Sequence, residues 1–295
     1  MFIRRLPAFV YHTPASVGEA LELMAKYGNN GRYIAGGTDL LIAMKKREAV
    51  PEHLIGLSGV ASLKGIASDD KGVCIGALTT LAEVERSEII KKQYLPLKDA
   101  VDVMASIQVR NLATIGGNLC SAVPSADTAP PLIALNASVK LVGLEGERTV
   151  PVEAFFSGPK ESVCCKTQEI LAEIAIPRPD PGSSGCYLKL MRRHAMGLAL
   201  VGVAACLKLD PDMNVCREAR FALGAVAPTP IRVPEVEAYL VNKAINETVA
   251  AEAARLAGMQ CRPITDIRAS LDYRCGMVEV FTRRAVMEAV KRITV

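Results

Sequence analysis

The sequence predicts an α+β protein in two parts: a larger first part of mixed helices and strands, and a smaller second part with an antiparallel sheet and helices. Three observations carry this prediction. Helix-period and strand-period apolar patterns alternate through the first half of the chain. A proline- and glycine-rich stretch, PRPDPGSSG from Pro177 to Gly185, is the clearest linker. Beyond it, three strand-like runs come one after another and three helical segments follow. The 295 residues suffice for two domains, placed at 1–177 and 178–295, the first split into subdomains of roughly 1–57 and 58–177.

Each element has its own signal. Ser16 and Glu19 form a capping box ahead of a helical face of Val17, Ala20, Leu21 and Met24, and Gly28 stops that helix. RYIAGG (32–37) reads as a short strand running into a glycine turn, and HLIGL (53–57) and GVCIGAL (72–78) as further strands. Thr79 or Thr80 caps a short helix through Glu85, and Leu97, Ala100, Val101 and Met104 mark another that ends near Ser106. APPLIALN is an apolar helix whose early prolines fit its first turn. SVKLVG and EILAEIAIP are strands, the second placing Ile170, Ala172, Ile174 and Ile176 on one face. In the second part CYLKLMRR, GLALVGVAACLKL and EARFALGAVA are the strands, and the helices fall near 234–242, 247–257 and 272–292.

Composition excludes several function classes. Half the residues are hydrophobic and 22% are charged, which describes a well-buried globular chain. A net charge of +4, dispersed along the chain, and the lack of tryptophan argue against nucleic acid. The first residues have two arginines but no apolar h-region, and the longest apolar run (Gly197 to Leu209) is too short to span a bilayer. The expectation is a cytoplasmic protein without membrane insertion. Nine cysteines contain no C-x-x-C, so no zinc or iron–sulfur spacing is present and free, mostly buried thiols are expected. The three histidines form no metal or triad arrangement, and no residue stands out as a catalytic acid, base or nucleophile.

Two glycine pairs remain. IAGGTDLL (Ile34 to Leu41) and TIGGNLCSAVPSAD (Thr114 to Asp127) each put Gly-Gly between apolar residues and a small polar one, about 80 residues apart. G-x-G-x-x-G is absent at both, and no Gly-Lys-Ser/Thr follows either. A glycine pair is an ordinary tight turn, or it turns several amides toward one point and binds an anion. Two such loops in one domain would clamp the phosphates of a dinucleotide from both sides.

IAGGTDLL, QVRNLATIGGNLCSAVPSADTAPPLIAL and DIRASLDYR, in that order, resemble the FAD-binding medium subunit of molybdenum hydroxylases, the xanthine dehydrogenase and carbon monoxide dehydrogenase family. The resemblance implies a two-part FAD-binding domain of the vanillyl-alcohol oxidase type and a smaller α+β C-terminal domain. It places the FAD pyrophosphate on Tyr33, Ile34, Ala35, Gly36, Gly37, Thr38, Asp39 and Leu40, and on Thr114, Ile115, Gly116, Gly117 and Asn118. It adds Asp127 at the adenosine side, Leu171 packed on the cofactor, and Lys189 as a donor and positive charge. It also puts Cys120 near the flavin ring, although an inert packing role is the simpler reading.

From the residues alone, Asp127 also reads as the N-cap of the following helix, which is compatible with a ligand contact, Lys189 also reads as a solvated strand lysine, and Leu171 reads most economically as core. As the resemblance implies, a large molybdopterin-binding subunit oxidises the substrate. A small subunit with two 2Fe-2S clusters passes electrons to this chain's FAD, and NAD+ or another acceptor receives them. Two other readings stay open: a self-sufficient FAD-dependent oxidase or dehydrogenase, and a non-enzymatic binding or assembly module.

Overall fold

The structure, a computed structural model, describes residues 5–164, 167–210 and 215–294. Cys165 and the first four residues lie outside them. The first sheet is parallel, with strands β1 (Val10–His12), β2 (Gly31–Ile34) and β3 (His53–Gly56) in the order β1-β3-β2. Parallel neighbours need crossovers, and α1 (Val17–Tyr27) and α2 (Leu40–Lys46) supply them. Ser16 caps α1 by accepting the Glu19 amide, and Gly28 ends it at φ +51°. The box is displaced by one residue, because the Glu19 carboxylate takes the amide of Ala15 rather than that of Ser16. Helix α2 follows the first glycine pair after two intervening residues and is not among the elements expected from the sequence.

The second sheet is antiparallel, with the order β4-β5-β10-β6-β7. Its strands are β4 (Ile66–Ser68), β5 (Gly72–Gly76), β6 (Ser138–Gly143), β7 (Gly146–Pro151) and, after a small β8 (Phe156–Gly158) and β9 (Glu161–Ser162) hairpin, β10 (Glu169–Pro177). Six short helices lie between β5 and β6: α3 (Leu81–Arg86), α4 (Glu88–Gln93), α5 (Leu95–Asp102), α6 (Ile107–Arg110), α7 (Ile115–Ser121) and α8 (Ala129–Ala134). Of the two candidate caps for α3, Thr80 is the one used, in a full capping box with Glu83.

The alternation expected along β10 breaks in its middle. A bulge between Leu171 and Glu173 inserts one residue, and inserting one residue reverses which face the side chains take. Ile170 and Ala172 therefore join the small core under α1, while Leu171, Ile174 and Ile176 join the larger core with α5, α7 and α8.

The expected linker is shorter than its composition indicated, since Pro177 ends β10 and Ser183 already pairs in the third sheet: β11 (Ser183–Leu190), β12 (Val201–Leu209), β13 (Cys216–Gly224) and β14 (Ile231–Arg232), all antiparallel. Three helices complete the chain: α9 (Pro234–Leu240), α10 (Glu247–Gln260) and α11 (Leu271–Thr294). Both faces of this sheet are covered, which explains the near-continuous apolar run of β12. Val201, Val203, Ala205 and Leu207 pack with α10 and α11, whereas Ala204 and Ala222 face the first part. The inner face is lined by small residues so that α8 can approach. A Cβ at Gly224 would lie 2.7 Å from Pro130 Cγ.

Candidate functional site

The two glycine segments meet. A side chain at Gly36 would place its Cβ 2.6 Å from the Leu112 carbonyl carbon and closer still to the oxygen, so the first loop lies against the chain that enters Thr114. Gly37 has φ +70°, a conformation that favours glycine. With Gly36 pressed down and Gly37 turned, the amides of Gly36, Gly37, Thr38 and Asp39 make no hydrogen bond among the described residues. Such a run of uncommitted amides is a site for an anion.

The second segment works differently from the expectation. It is not an amide cradle: Thr114 is the N-cap of α7, and the two glycines sit in the first helical turn. Ile115 donates its amide to Thr79 O, Gly116 to Ala77 O, Gly117 to Thr114 Oγ1 and Asn118 to Thr114 O. Gly116 is a packing glycine, since a Cβ there would lie 2.6 Å from Ala77 Cβ and 2.7 Å from Ala77 O. Ala77 in turn donates to the carbonyl of Ala172, the bulge residue of β10. The bulge thus anchors Ala77, and Ala77 anchors the second segment beside the first. Leu171 is buried in the core behind α7, as its residue type alone indicated. The Asn118 side-chain oxygen accepts from Thr128 Oγ1 at 2.6 Å, which fixes the amide group at the far side of the segment.

Asp127 and Lys189 come together from opposite sides of the linker. Lys189 Nζ lies 2.8 Å from Asp127 Oδ2 and donates also to Val103 O, with side-chain exposures of 1% for the lysine and 7% for the aspartate. The solvated-lysine reading is therefore overturned. So is the N-cap reading of Asp127, because the cap residue of α8 is Thr128. Tyr187 donates its hydroxyl to Asp127 Oδ1 at 3.0 Å. Burial pushes the Asp127 carboxyl up, and the Lys189 charge and the Lys189 and Tyr187 hydrogen bonds oppose that shift. An ammonium has three donors and two are used, so one N–H of Lys189 stays available among the described residues.

Tyr33 offers another unmatched group. Its hydroxyl is buried without a hydrogen-bond partner among the described residues, and burial drives its acidity down. An orphaned buried hydroxyl costs about 1–3 kcal/mol unless something supplies a partner. Cys120 sits against Cys164, and that hydrogen bond together with burial holds the Cys164 thiol far above its ordinary range. The Cys164 thiol therefore stays protonated at neutral pH. No cluster of three metal-ligating side chains occurs among the described residues.

Uncommitted amides, an orphaned hydroxyl and a buried ammonium with a spare donor suit a phosphate-bearing, hydroxyl-rich dinucleotide such as FAD. Tyr187 and Thr128 were missed in the sequence. Tyr187 was within reach, since it sits two residues before Lys189 on one strand and so shares its face.

Comparisons with known proteins agree over almost the whole chain. A family model described as the FAD binding domain in molybdopterin dehydrogenase matches residues 7–179, and one described as the CO dehydrogenase flavoprotein C-terminal domain matches residues 186–289. The carbon monoxide dehydrogenase medium chain of Hydrogenophaga pseudoflava is 35% identical over 286 residues, covering 97% of this chain and 98% of that one. The xanthine dehydrogenase FAD-binding subunit of Escherichia coli O157:H7 is 31% identical, covering 95% of each. The solved structure of carbon monoxide dehydrogenase from Hydrogenophaga pseudoflava superimposes with a TM-score of 0.93 over 98% of this chain and 99% of that chain.

Proposed function

Because the chain belongs to the FAD-binding subunits of molybdopterin dehydrogenases, we propose that it is the electron-transfer subunit of a heteromeric oxidoreductase. It takes electrons from a partner subunit that carries iron–sulfur clusters and delivers them to NAD+ or another acceptor. A large molybdopterin-binding subunit completes the complex and holds the substrate. The observation that carries this reading is the run of uncommitted amides from Gly36 to Asp39, pressed against the second glycine segment.

FAD, when bound, supplies the chemistry of accepting electrons singly and releasing them in pairs. The chain's own residues bind and orient. The Gly36–Asp39 amides would hold the anionic pyrophosphate, Lys189 would add a positive charge, and the Tyr33 hydroxyl would gain a partner. Ile115–Asn118 would act as a fixed wall, positioned through Ala77, because their amides are already bonded within the chain. Relatives act on carbon monoxide, xanthine and glyceraldehyde by name, so a common flavin subunit serves different substrates held elsewhere.

The reading is tested with the purified full chain and its complex. The chain is expected to bind one FAD per polypeptide, to be yellow, and to copurify with a larger and a smaller subunit. Stopped-flow mixing of the complex with a substrate should bleach the flavin absorbance after the iron–sulfur signal. A colourless chain that cannot be reconstituted with FAD overturns the proposal. A lone chain that oxidises an organic substrate at full rate overturns its subunit role.

A further inference from the structure

We propose that Tyr187 is a positioning residue for the FAD site, orienting the Asp127 carboxylate through its hydroxyl, and that Gly202 is a glycine because that hydroxyl needs its space. The inference rests on the FAD reading of Asp127 and Lys189 given above, and it concerns two residues to which that reading assigns nothing.

Tyr187 is almost entirely buried at 4% exposure and is held at both ends. Its amide donates to Asp99 Oδ2 at 3.1 Å, and its hydroxyl to Asp127 Oδ1 at 3.0 Å. Asp99 is fixed from the other side by Arg292 of α11, at 2.7 Å. The phenol therefore reaches across from a pinned backbone to one carboxylate oxygen, while Lys189 takes the other. Two donors on two oxygens fix the carboxylate plane, and a fixed carboxylate fixes the ammonium that pairs with it.

Gly202 lies on the neighbouring strand, directly opposite Lys189 in the β11–β12 register. A Cβ there would stand 2.6 Å from Tyr187 Oη, 3.1 Å from Cε2 and 3.2 Å from Cζ. The hydroxyl is the nearest atom, so the missing side chain accommodates the group that bonds Asp127. Gly202 has no positive φ to explain it. The ionisable groups facing Asp127 are Lys189 and Tyr187, both on β11. Helix α5 brings Asp99, neutralised by Arg292, and β12 presents Gly202 there.

The test is FAD affinity of the full apo-chain, read by flavin fluorescence quenching between pH 5 and 8, for Tyr187→Phe, Gly202→Ala, the double variant and Asp127→Asn. Tyr187→Phe is expected to weaken FAD about tenfold, the scale of one hydrogen bond to a charged group. Gly202→Ala should do the same while keeping the phenol. The double variant should be within about twofold of either single one, because both remove a single bond. The hydroxyl favours ionised Asp127, so both single variants should move the acid limb of the affinity profile to higher pH. An affinity within twofold of wild type at every pH for Tyr187→Phe, or losses that multiply in the double variant, overturns the inference. If Asp127→Asn loses FAD and Tyr187→Phe does not, the role of Tyr187 alone fails. If Asp127→Asn binds FAD as wild type does, the FAD reading of Asp127 fails first and the inference falls with it.

Discussion

Gly36→Ala separates the two glycine segments without touching any charged group, which makes it the sharpest probe of their contact. The added Cβ would stand 2.6 Å from the Leu112 carbonyl carbon, whereas carbon atoms rest at about 3.5–4.0 Å. About 1 Å must open between two pieces of backbone, and neither is the end of a flexible side chain. Overpacking of this kind costs about 1–3 kcal/mol, and the upper half of that range applies because the obstruction is main chain. For a chain of this size, about 3 kcal/mol lowers the melting temperature by roughly 6–12 °C. Ligand linkage then gives a second readout. At a hundred times its Kd, FAD stabilises wild type by about 2.7 kcal/mol, and a hundredfold loss of affinity removes most of that gain at the same concentration. The assay is differential scanning calorimetry of the apo-chain with and without FAD, beside a direct Kd. A variant whose FAD-dependent shift and Kd equal those of wild type would show that the contact between the segments does not shape the site.

Other substitutions should behave differently. Gly117→Ala meets only Thr114 Oγ1, at 2.8 Å, so it should cost about 1 kcal/mol through the α7 cap and weaken FAD far less than Gly36→Ala; denaturant melts and FAD titration check both. Asp99→Asn removes the charge that Arg292 meets across the seam between the C-terminal helix and β11 and leaves it only Glu288 of its own helix, so urea unfolding should register a loss of about 1.5–3 kcal/mol. Burial pushes the Cys206 and Cys261 thiols up to about 12 and Cys216 up to about 11, so at pH 8 they stay protonated. Mass spectrometry after iodoacetamide at pH 8 should find buried Cys216 and Cys261 labelled only on unfolding, with exposed Cys74 labelled first and half-buried Cys206 between; early labelling of Cys216 would contradict its burial.

Local chemistry made much of the fold legible. Ser16, Gly28, Thr80 and the prolines of α8 marked helix ends because capping and ring constraints act within a few residues. The long strand β12 was readable because its apolar run from Gly197 to Leu209 is the longest in the chain. What stayed hidden depended on distant partners. The bulge in β10 reversed the face of Ile174 and Ile176, and no residue in that strand announces it. The amides of Ile115 and Gly116 looked available because their acceptors, Thr79 O and Ala77 O, are more than thirty residues away in sequence. Lys189 read as solvated because its partner, Asp127, comes from before the linker.

That last pair bears on how the two parts of the chain relate. The inner face of the third sheet shares a core with α5 and α8, through Tyr187, Ala204 and Ala222, while its outer face forms a separate core with α10 and α11. A sheet buried on both sides cannot swing away from the first part without exposing both an apolar face and the Asp127–Lys189 charges. Breaking a buried pair by losing one partner costs about 3–5 kcal/mol, and the Arg292–Asp99 bridge closes the same seam from α11. The second part is therefore fixed against the first rather than a mobile appendage. Its small residues, Gly202, Ala204, Ala222 and Gly224, follow from that demand. They let helix α8 and the Tyr187 phenol come close enough for residues on both sides of the linker to meet at one carboxylate.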